Sequence, residues 1–343
     1  MAGRLHQTTP EIASTFMSSN RLFPGIALCA VASLALVGCG SGGSSSESSA
    51  SPAASTVTIQ DDKGEQTVDS PPSSVVATDN RVFETLSDWG VQLKAAPKTL
   101  IPETIAYKDD DSIVDLGSHR EPDLEAIAGV DPDLVINGQR FSQHYDDIKK
   151  LVPDAAMLDL DPRDDQPLDS ELKRQVSALG EVFQKTDDAE KLNDDLDKAE
   201  QRAKDAYKDQ SAMGLIVSGG DIGYVVPKTG RTIGPLFDMV GLKPALEVEG
   251  SDDHQGDDIS VEAIAKAKPE LLIVMDRDAA ISSSKDATPA SEVIEKSEAL
   301  KDVPAVKNGN VVYLPEDTYT NEGIQTYTEI LNEIADKLES QKN

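Results

Sequence analysis

The chain has 343 residues and is strongly acidic, with 62 Asp and Glu against 32 Lys and Arg and a formal net charge of −30. That balance argues against nucleic acid as a partner and against a polybasic contact with lipid headgroups, both of which need clustered Lys and Arg. Of two cysteines one lies in an apolar leader, so no disulfide framework is available and the fold must rest on its core.

Arg21 precedes an apolar run from Leu22 to Val37, too short and too poorly flanked for a stable membrane span and read as a signal peptide over 1–38. Met17 heads a more usual leader than Met1, and both starts stay open. The run ends in Leu36-Val37-Gly38-Cys39, which resembles the lipobox of bacterial lipoproteins, with Cys39 as the lipid-bearing residue. Residues 39–56 are a Gly/Ser/Ala tether without core-forming side chains. An N-terminal α/β lobe is expected over 57–186. Thr56–Gln60 alternates as a strand and runs into the turn Asp61-Asp62-Lys63-Gly64. Val75–Ala77 is a second strand, Asn80–Trp89 a helix stopped by Gly90, and Val91–Ala95 a third strand. Pro97–Gly117 reads as loop. Asp123 caps a helix over Leu124–Gly129, Pro132 turns into the buried strand Leu134–Ile136, and His144–Val152 is a short helix.

Ser170–Phe183 is helical. A long helix over 187–208 then carries Leu192, Leu196, Ala199 and Ala203 at three- and four-residue spacing. At 1.5 Å per residue it spans about 30 Å, roughly a domain diameter, and is the natural connector. The second lobe, 209–343, restarts with strands at Met213–Ser218 and Gly223–Val226 and a helix over Ile233–Val240. Ser260 caps another helix before the strand Leu271–Met275, and Val311–Leu314 and Gly323–Lys337 close the chain as strand and helix. The expected fold is α/β: two Rossmann-like lobes joined by a single long helix, with a ligand cleft between them.

An internal repeat carries the same conclusion. D-L-E-A-I-A-G-V-D-P-D-L-V-I-N-G-Q-R around Glu125 matches S-V-E-A-I-A-K-A-K-P-E-L-L-I-V-M-D-R around Glu262 at one constant offset, without insertion. Each copy opens on a helix cap and ends by delivering an arginine, Arg140 or Arg277, just past a buried strand.

Lipobox, tether, two lobes and the doubled E-A-I-A…P-[DE]-L-[LV]-I phrase together resemble the substrate-binding lipoproteins of bacterial iron-siderophore ABC importers, whose relatives carry haem and cobalamin. The likeness extends to the subgroup that binds ferric catecholates through Gly138-Gln-Arg140…Tyr145-Asp, Thr229-Gly-Arg231…Gly234 and Val274-Met-Asp276-Arg277-Asp278. The resemblance implies a helical-backbone fold and a ferric siderophore as cargo, with no intrinsic cofactor. It implies ligand contacts from Arg140, Arg231, Arg277 and Tyr145, with Arg81 past the second strand a further candidate. His254, in Ser251-Asp-Asp-His254-Gln-Gly256, and Tyr319, after the last strand, are implied iron ligands completing the shell of a siderophore that leaves sites open. Glu125 and Glu262, one per lobe, are implied contacts for a two-fold permease dimer with its ATPase subunits. The receptor would be a monomer held to the outer face of the cytoplasmic membrane by the lipid anchor alone.

The chemistry of the residues agrees with these roles. A ferric ion held by six catecholate oxygens is a trianion, and an arginine fork gives such oxygens charge-assisted hydrogen bonds at any relevant pH. Two unit charges about 4 Å apart interact by about 4 kcal/mol at an effective dielectric of about 20. Against ligation, His254 sits among Asp252, Asp253, Asp257 and Asp258, as a solvated loop histidine would, and the segment Glu316–Asn321 departs from the subgroup's aromatic-rich pattern. In Glu125 and Glu262 a helix-start role would also suffice. A bare-metal carrier for zinc or manganese needs clustered His and carboxylates, and only the scattered His119, His144 and His254 follow the leader. Haem or cobalamin binding and a non-transport surface lipoprotein remain alternatives. An enzyme is not expected: there is no nucleophile elbow, CxxC pair, phosphate loop or dinucleotide fingerprint, and Ser218-Gly219-Gly220 alone is too little.

Overall fold

The computed structural model describes residues 55–248, 250–251, 253, 255–281 and 287–341. The leader, Cys39 and nearly all of the tether lie outside the described residues, as does His254.

The first lobe begins with an antiparallel hairpin of β1 (Ser55–Asp61) and β2 (Gly64–Ser70), the second strand of which the sequence reading left out. Asp61 holds its turn by accepting Lys63 N–H at 2.8 Å and ties the hairpin to the sheet by accepting Asp159 N–H at 3.0 Å. There follow β3 (Val75–Ala77), α1 (Phe83–Asp88), β4 (Leu93–Ala96), β5 (Val114–Asp115), the short pair β6 (Gly117–Ser118) and β7 (Glu121–Pro122), α2 (Leu124–Gly129), β8 (Leu134–Asn137), α3 (Tyr145–Leu151) and β9 (Ala156–Asp159). The sheet order is β5-β4-β3-β8-β9, parallel throughout. Both faces are covered, so β8 reads as an unbroken apolar run rather than an alternating one. Val135 packs with Ile127 of α2 and Ile148 of α3, and Leu134 and Ile136 face Phe83 of α1 on the other side.

The stretch expected to be loop from Pro97 to Gly117 is more ordered than that. It makes short helical turns at Lys98–Leu100 and Ala106–Lys108 and contributes edge strand β5. Its order comes from single buried anchors, Leu100, Ile101, Ile105, Tyr107 and Ile113, with the Tyr107 hydroxyl donating to Val91 O at 2.5 Å.

Two antiparallel helices connect the sheets. α4 (Leu168–Phe183) turns at left-handed Gln184 into α5 (Thr186–Ala206). The turn is tight: a Cβ on Gly180 would stand 2.7 Å from that of Ala189. α5 buries Ala189, Leu196, Ala199, Ala203 and Ala206 on one stripe, and the four alanines let neighbouring backbones approach.

The second lobe holds β10 (Ser211–Ser218), β11 (Asp221–Val225), α6 (Leu236–Val240), β12 (Lys243–Pro244), β13 (Asp257–Asp258), α7 (Val261–Ala267), β14 (Leu271–Asp276), α8 (Ala290–Glu295), α9 (Pro304–Lys307), β15 (Val311–Tyr313) and α10 (Ile324–Ser340). Its sheet runs β13-β11-β10-β14-β15, with β12 beside β10. It is mixed, because β11 pairs antiparallel with both neighbours, whereas β10, β14 and β15 are parallel. α10 packs along α5, where Arg202 pairs with Asp336 and Glu339.

The helix is not the only link between the lobes. Segment 317–325, which runs from after β15 into the first turn of α10, is bonded to the first lobe at several places. Thr104 donates to Asp317 at 2.5 Å, Asn80 to Thr320 O at 2.9 Å, Asn321 to Glu84 at 2.8 Å and Thr85 to Gln325 at 2.9 Å.

Candidate functional site

Ligands of open parallel sheets bind beyond the carboxyl ends of the strands, and here those ends deliver charge. Arg140 follows β8, Arg277 follows β14 directly, Arg231 sits in the turn between β11 and α6, and Tyr319 lies in segment 317–325. The three guanidinium carbons converge on the Tyr319 ring, 5.0, 4.8 and 4.9 Å from its centroid for Arg140, Arg231 and Arg277, within cation–π range. Arg140 also donates to Tyr319 O at 3.1 Å. All four residues line one cavity of about 630 Å³, whose other walls include Thr99, Lys108, His119 and Arg120 from the first lobe and Ala279, Ala280 and Ile281 from the second. Arg231 and Arg277 keep 18% and 17% of their side chains exposed, so both remain reachable from this cavity.

Local sequence explains each presentation. Before Arg140 comes Gly138, where a Cβ would stand 2.8 Å from the Asp79 carboxylate and 2.9 Å from that of Asp161, so only glycine fits. Asp161 then accepts Gln139 N–H at 2.7 Å, the Ser142 hydroxyl at 2.5 Å and Arg81 at 3.1 Å, pinning the turn that carries Arg140. Arg231 rides on a coil wound so closely that a Cβ on Gly234 would lie 2.2 Å from Gly230 O. Arg277 is fixed by its own N–H to Val217 O at 3.0 Å and by its guanidinium to the Ser218 hydroxyl at 3.0 Å.

Burial pushes the Tyr319 phenol up, but the hydrogen bond from Arg277 and the three guanidinium charges outweigh it and hold the phenol below the ordinary tyrosine value. Arg140 is lowered by burial and by the adjacent Arg231 charge. Beneath the cluster lies an acid the sequence reading missed. Glu322, 3% exposed, accepts Arg231 at 2.7 Å, Thr232 at 2.6 Å and Gln139 at 2.7 Å. Burial raises its carboxyl, yet Arg231, Arg81, the Thr232 hydroxyl and Arg140 together keep it below the usual carboxylate range.

The structure brings Arg140, Arg231, Arg277 and Tyr319 together and leaves two other expected contacts elsewhere. Arg81 does not line this cavity; it is paired with Asp161 on the far side of the arginine layer, facing a second interlobe cavity. Tyr145, at the start of α3, lies under Lys63 Nζ, 5.2 Å from the ring centroid. Glu125 and Glu262 are exposed in the first turns of α2 and α7, behind matched caps: Asp123 accepts Ala126 N–H and Ser260 accepts Ala263 N–H, each at 3.1 Å. His119, read from the sequence as a loop residue, and Arg120 form the tip between β6 and β7 and line the cavity, a role the sequence did not signal; Gln143 and His144 hold the tip through His119 O at 3.2 and 2.9 Å. Among the described residues no group of three or more His, Cys, Asp or Glu is placed to hold a metal ion, and no helix is long and apolar enough to cross a membrane.

Two α/β lobes closing on a cationic cavity define a solute-binding protein. Residues 75–318 match the periplasmic binding protein family, to which this chain belongs. It is 30% identical over 293 residues to the petrobactin-binding protein YclQ of Bacillus subtilis, spanning 83% of this chain and 88% of that one. It is 26% identical over 287 residues to the ferric-anguibactin-binding protein FatB of Vibrio anguillarum, spanning 82% and 88%. The crystal structure of YclQ superposes with a TM-score of 0.72 at 28% identity, over 83% of this chain and 99% of that one. The catecholate-siderophore binding protein VctP of Vibrio cholerae superposes with a TM-score of 0.72 at 25% identity, over 82% and 99%.

Proposed function

We propose that this chain is the capture subunit of an ABC importer, binding a ferric siderophore of catecholate type between its lobes and passing it to the permease without covalent chemistry. The observation that carries the reading is the convergence of three guanidiniums on one ring at an interlobe cavity, in a chain whose 62 acids outnumber its 32 Lys and Arg. Family membership and relatives named for petrobactin and ferric anguibactin support it. Arg140, Arg231 and Arg277 would hold the anionic complex. Tyr319, whose phenol is already biased toward ionisation, would serve as an oxygen ligand to iron once the arginines part around the cargo. His254 would serve as a second iron ligand. Cys39 would carry the lipid anchor at the outer face of the cytoplasmic membrane, with 57–186 and 209–343 as the lobes of a monomer and 187–208 as their connector. Glu125 and Glu262 would contact the paired permease subunits.

An equilibrium titration of the soluble body tests this, followed by emission of Trp89, the single tryptophan. Ferric tris-catecholate, bis-catecholate, hydroxamate, haem and cobalamin ligands are compared. A catecholate should bind tightest, and Arg140→Ala/Arg277→Ala should weaken it by about a hundredfold, from about 1.5 kcal/mol or more per charged hydrogen bond. Wild-type affinity in that double variant sinks the arginine site; preference for haem or cobalamin reassigns the cargo.

A further inference from the structure

We propose that Glu322 is a built-in counter-anion that sets which ligand charge the cleft prefers, acting through Arg231 and Arg140 rather than by touching the ligand. The inference rests on the arginine cluster being the anion site. Its basis is position. Glu322 lines the second interlobe cavity and not the one that holds Tyr319, so the arginines form a layer with the ligand space on one face and this carboxylate on the other. Among the described residues, every hydrogen bond its carboxylate accepts comes from the layer or its supports: Arg231 and Thr232 from the second lobe, and Gln139, the residue preceding Arg140, from the first.

Two consequences follow from electrostatics. Three guanidiniums around one ring repel each other, and a carboxylate behind two of them lets the cluster persist in the empty protein. The same carboxylate subtracts from the field that an incoming anion feels. At an effective dielectric of about 20, a unit charge still acts over several ångströms with more than thermal energy. The subtraction therefore scales with ligand charge, large for a trianion and small for a monoanion. A residue serving only as a clasp between lobes would change all affinities by one common factor.

The test measures affinities of the soluble body for a hexadentate ferric tris-catecholate, a trianion, and a tetradentate ferric bis-catecholate, a monoanion. Glu322→Gln keeps the shape and one acceptor oxygen but removes the charge. It should shift the ratio of the two affinities toward the trianion by about tenfold, while Glu322→Asp keeps the wild-type ratio. Gln139→Asn, which withdraws the interlobe hydrogen bond and leaves the charge, should move both affinities together. An unchanged ratio in Glu322→Gln overturns the proposal. If loss of the buried charge unfolds that variant, the charge-balanced pair Arg231→Gln/Glu322→Gln must bind the trianion more tightly than Arg231→Gln alone, and equal or weaker binding overturns it. Should wild type bind neither complex, the siderophore reading fails by itself. Ultraviolet titration of Tyr319, taken against a Tyr319→Phe background, then decides the matter without ligand. Arg140, Arg231 and Arg277 face that phenol. Removing Glu322's charge must lower the pH at which phenolate appears, and an unmoved midpoint is fatal.

Discussion

In the first copy of the repeated phrase, β8 stops at Asn137 and the chain turns through Gly138 and Gln139 before presenting Arg140, with the turn pinned by the Asp161 carboxylate beside buried Asp79. In the second copy, β14 continues to Asp276, the residue matching Gln139, and Arg277 leaves the strand end directly, held by Val217 O and the Ser218 hydroxyl. Both arginines reach the same tyrosine ring at nearly the same distance. The helix, its cap and the buried strand were kept, while the support under the charge was rebuilt: the Asp161 carboxylate beside Asp79 pins the turn on one side, and on the other backbone, a hydroxyl and the Asp278 carboxylate, 3.9 Å away, hold the guanidinium. What the duplication preserved is register; what diverged is electrostatic cost.

That cost should be visible as a pH dependence confined to the first copy. Burial, and then the neighbouring Asp161 charge, raise the Asp79 carboxyl to about 7, against the pull of Arg81 and hydrogen bonds from Arg81 N–H and Gln175. A carboxyl whose folded value lies above its unfolded one contributes stability that is fully present below about pH 4 and lost as pH rises through about 7. At about 1.4 kcal/mol per unit the loss amounts to a few kcal/mol. Asp79→Asn should therefore match wild type in melting temperature near pH 4 and gain on it progressively toward pH 8. A difference that stays flat across that range would show that the paired acids are not the costly element of the first copy.

Substitution at the matched positions Gly138 and Met275 sharpens the same contrast with a smaller effect. A methyl at Gly138 must displace carboxylates that are themselves buried or pinned, so Gly138→Ala should cost about 1–3 kcal/mol and, by loosening the Asp161 anchor, weaken ligand binding as well. Met275 is fully buried among apolar neighbours, and Met275→Leu should cost less than about 1.5 kcal/mol and leave binding alone. Denaturant midpoints and one ligand titration per variant check both.

These contrasts also mark what is legible in the amino-acid sequence alone. Caps, apolar strands and the spacing between them are local, so the two copies and the helices over 170–206 were legible, whereas Arg231 and Tyr319 joined Arg140 and Arg277 as candidates only through the family resemblance. Gly138 carries no local signal, because what excludes a side chain there is Asp79 and Asp161, each far from it in sequence. Glu322 is one acid among many until the fold sets it between Gln139 and Arg231. Arg81 shows the converse failure: a strand-end arginine looks like a ligand contact until its own acid, Asp161, is found. The order in Pro97–Gly117 went unread because isolated anchors such as Leu100, Ile105 and Tyr107 bury themselves without periodicity.

The smallest effects should come from the part of the repeat that did not diverge. Asp123 and Ser260 do the same job with different chemistry, each accepting an N–H three residues on at 3.1 Å. Asp123→Ala and Ser260→Ala should each cost about 1 kcal/mol, without changing ligand affinity. Two residues beyond each cap, Glu125 and Glu262 are exposed, and among the described residues neither side chain makes a hydrogen bond or ion pair. Their charge favours the helix start only weakly, by about 0.3–1 kcal/mol. If they serve the permease, Glu125→Gln/Glu262→Gln should melt within about 2 kcal/mol of wild type and bind cargo normally, yet fail in uptake by whole cells. Uptake at wild-type rate would reduce both glutamates to helix-start residues. Uptake lost by either single change as fully as by both would indicate that the importer needs the two copies together, which is the one demand that would explain why this face stayed alike while the arginine supports drifted apart.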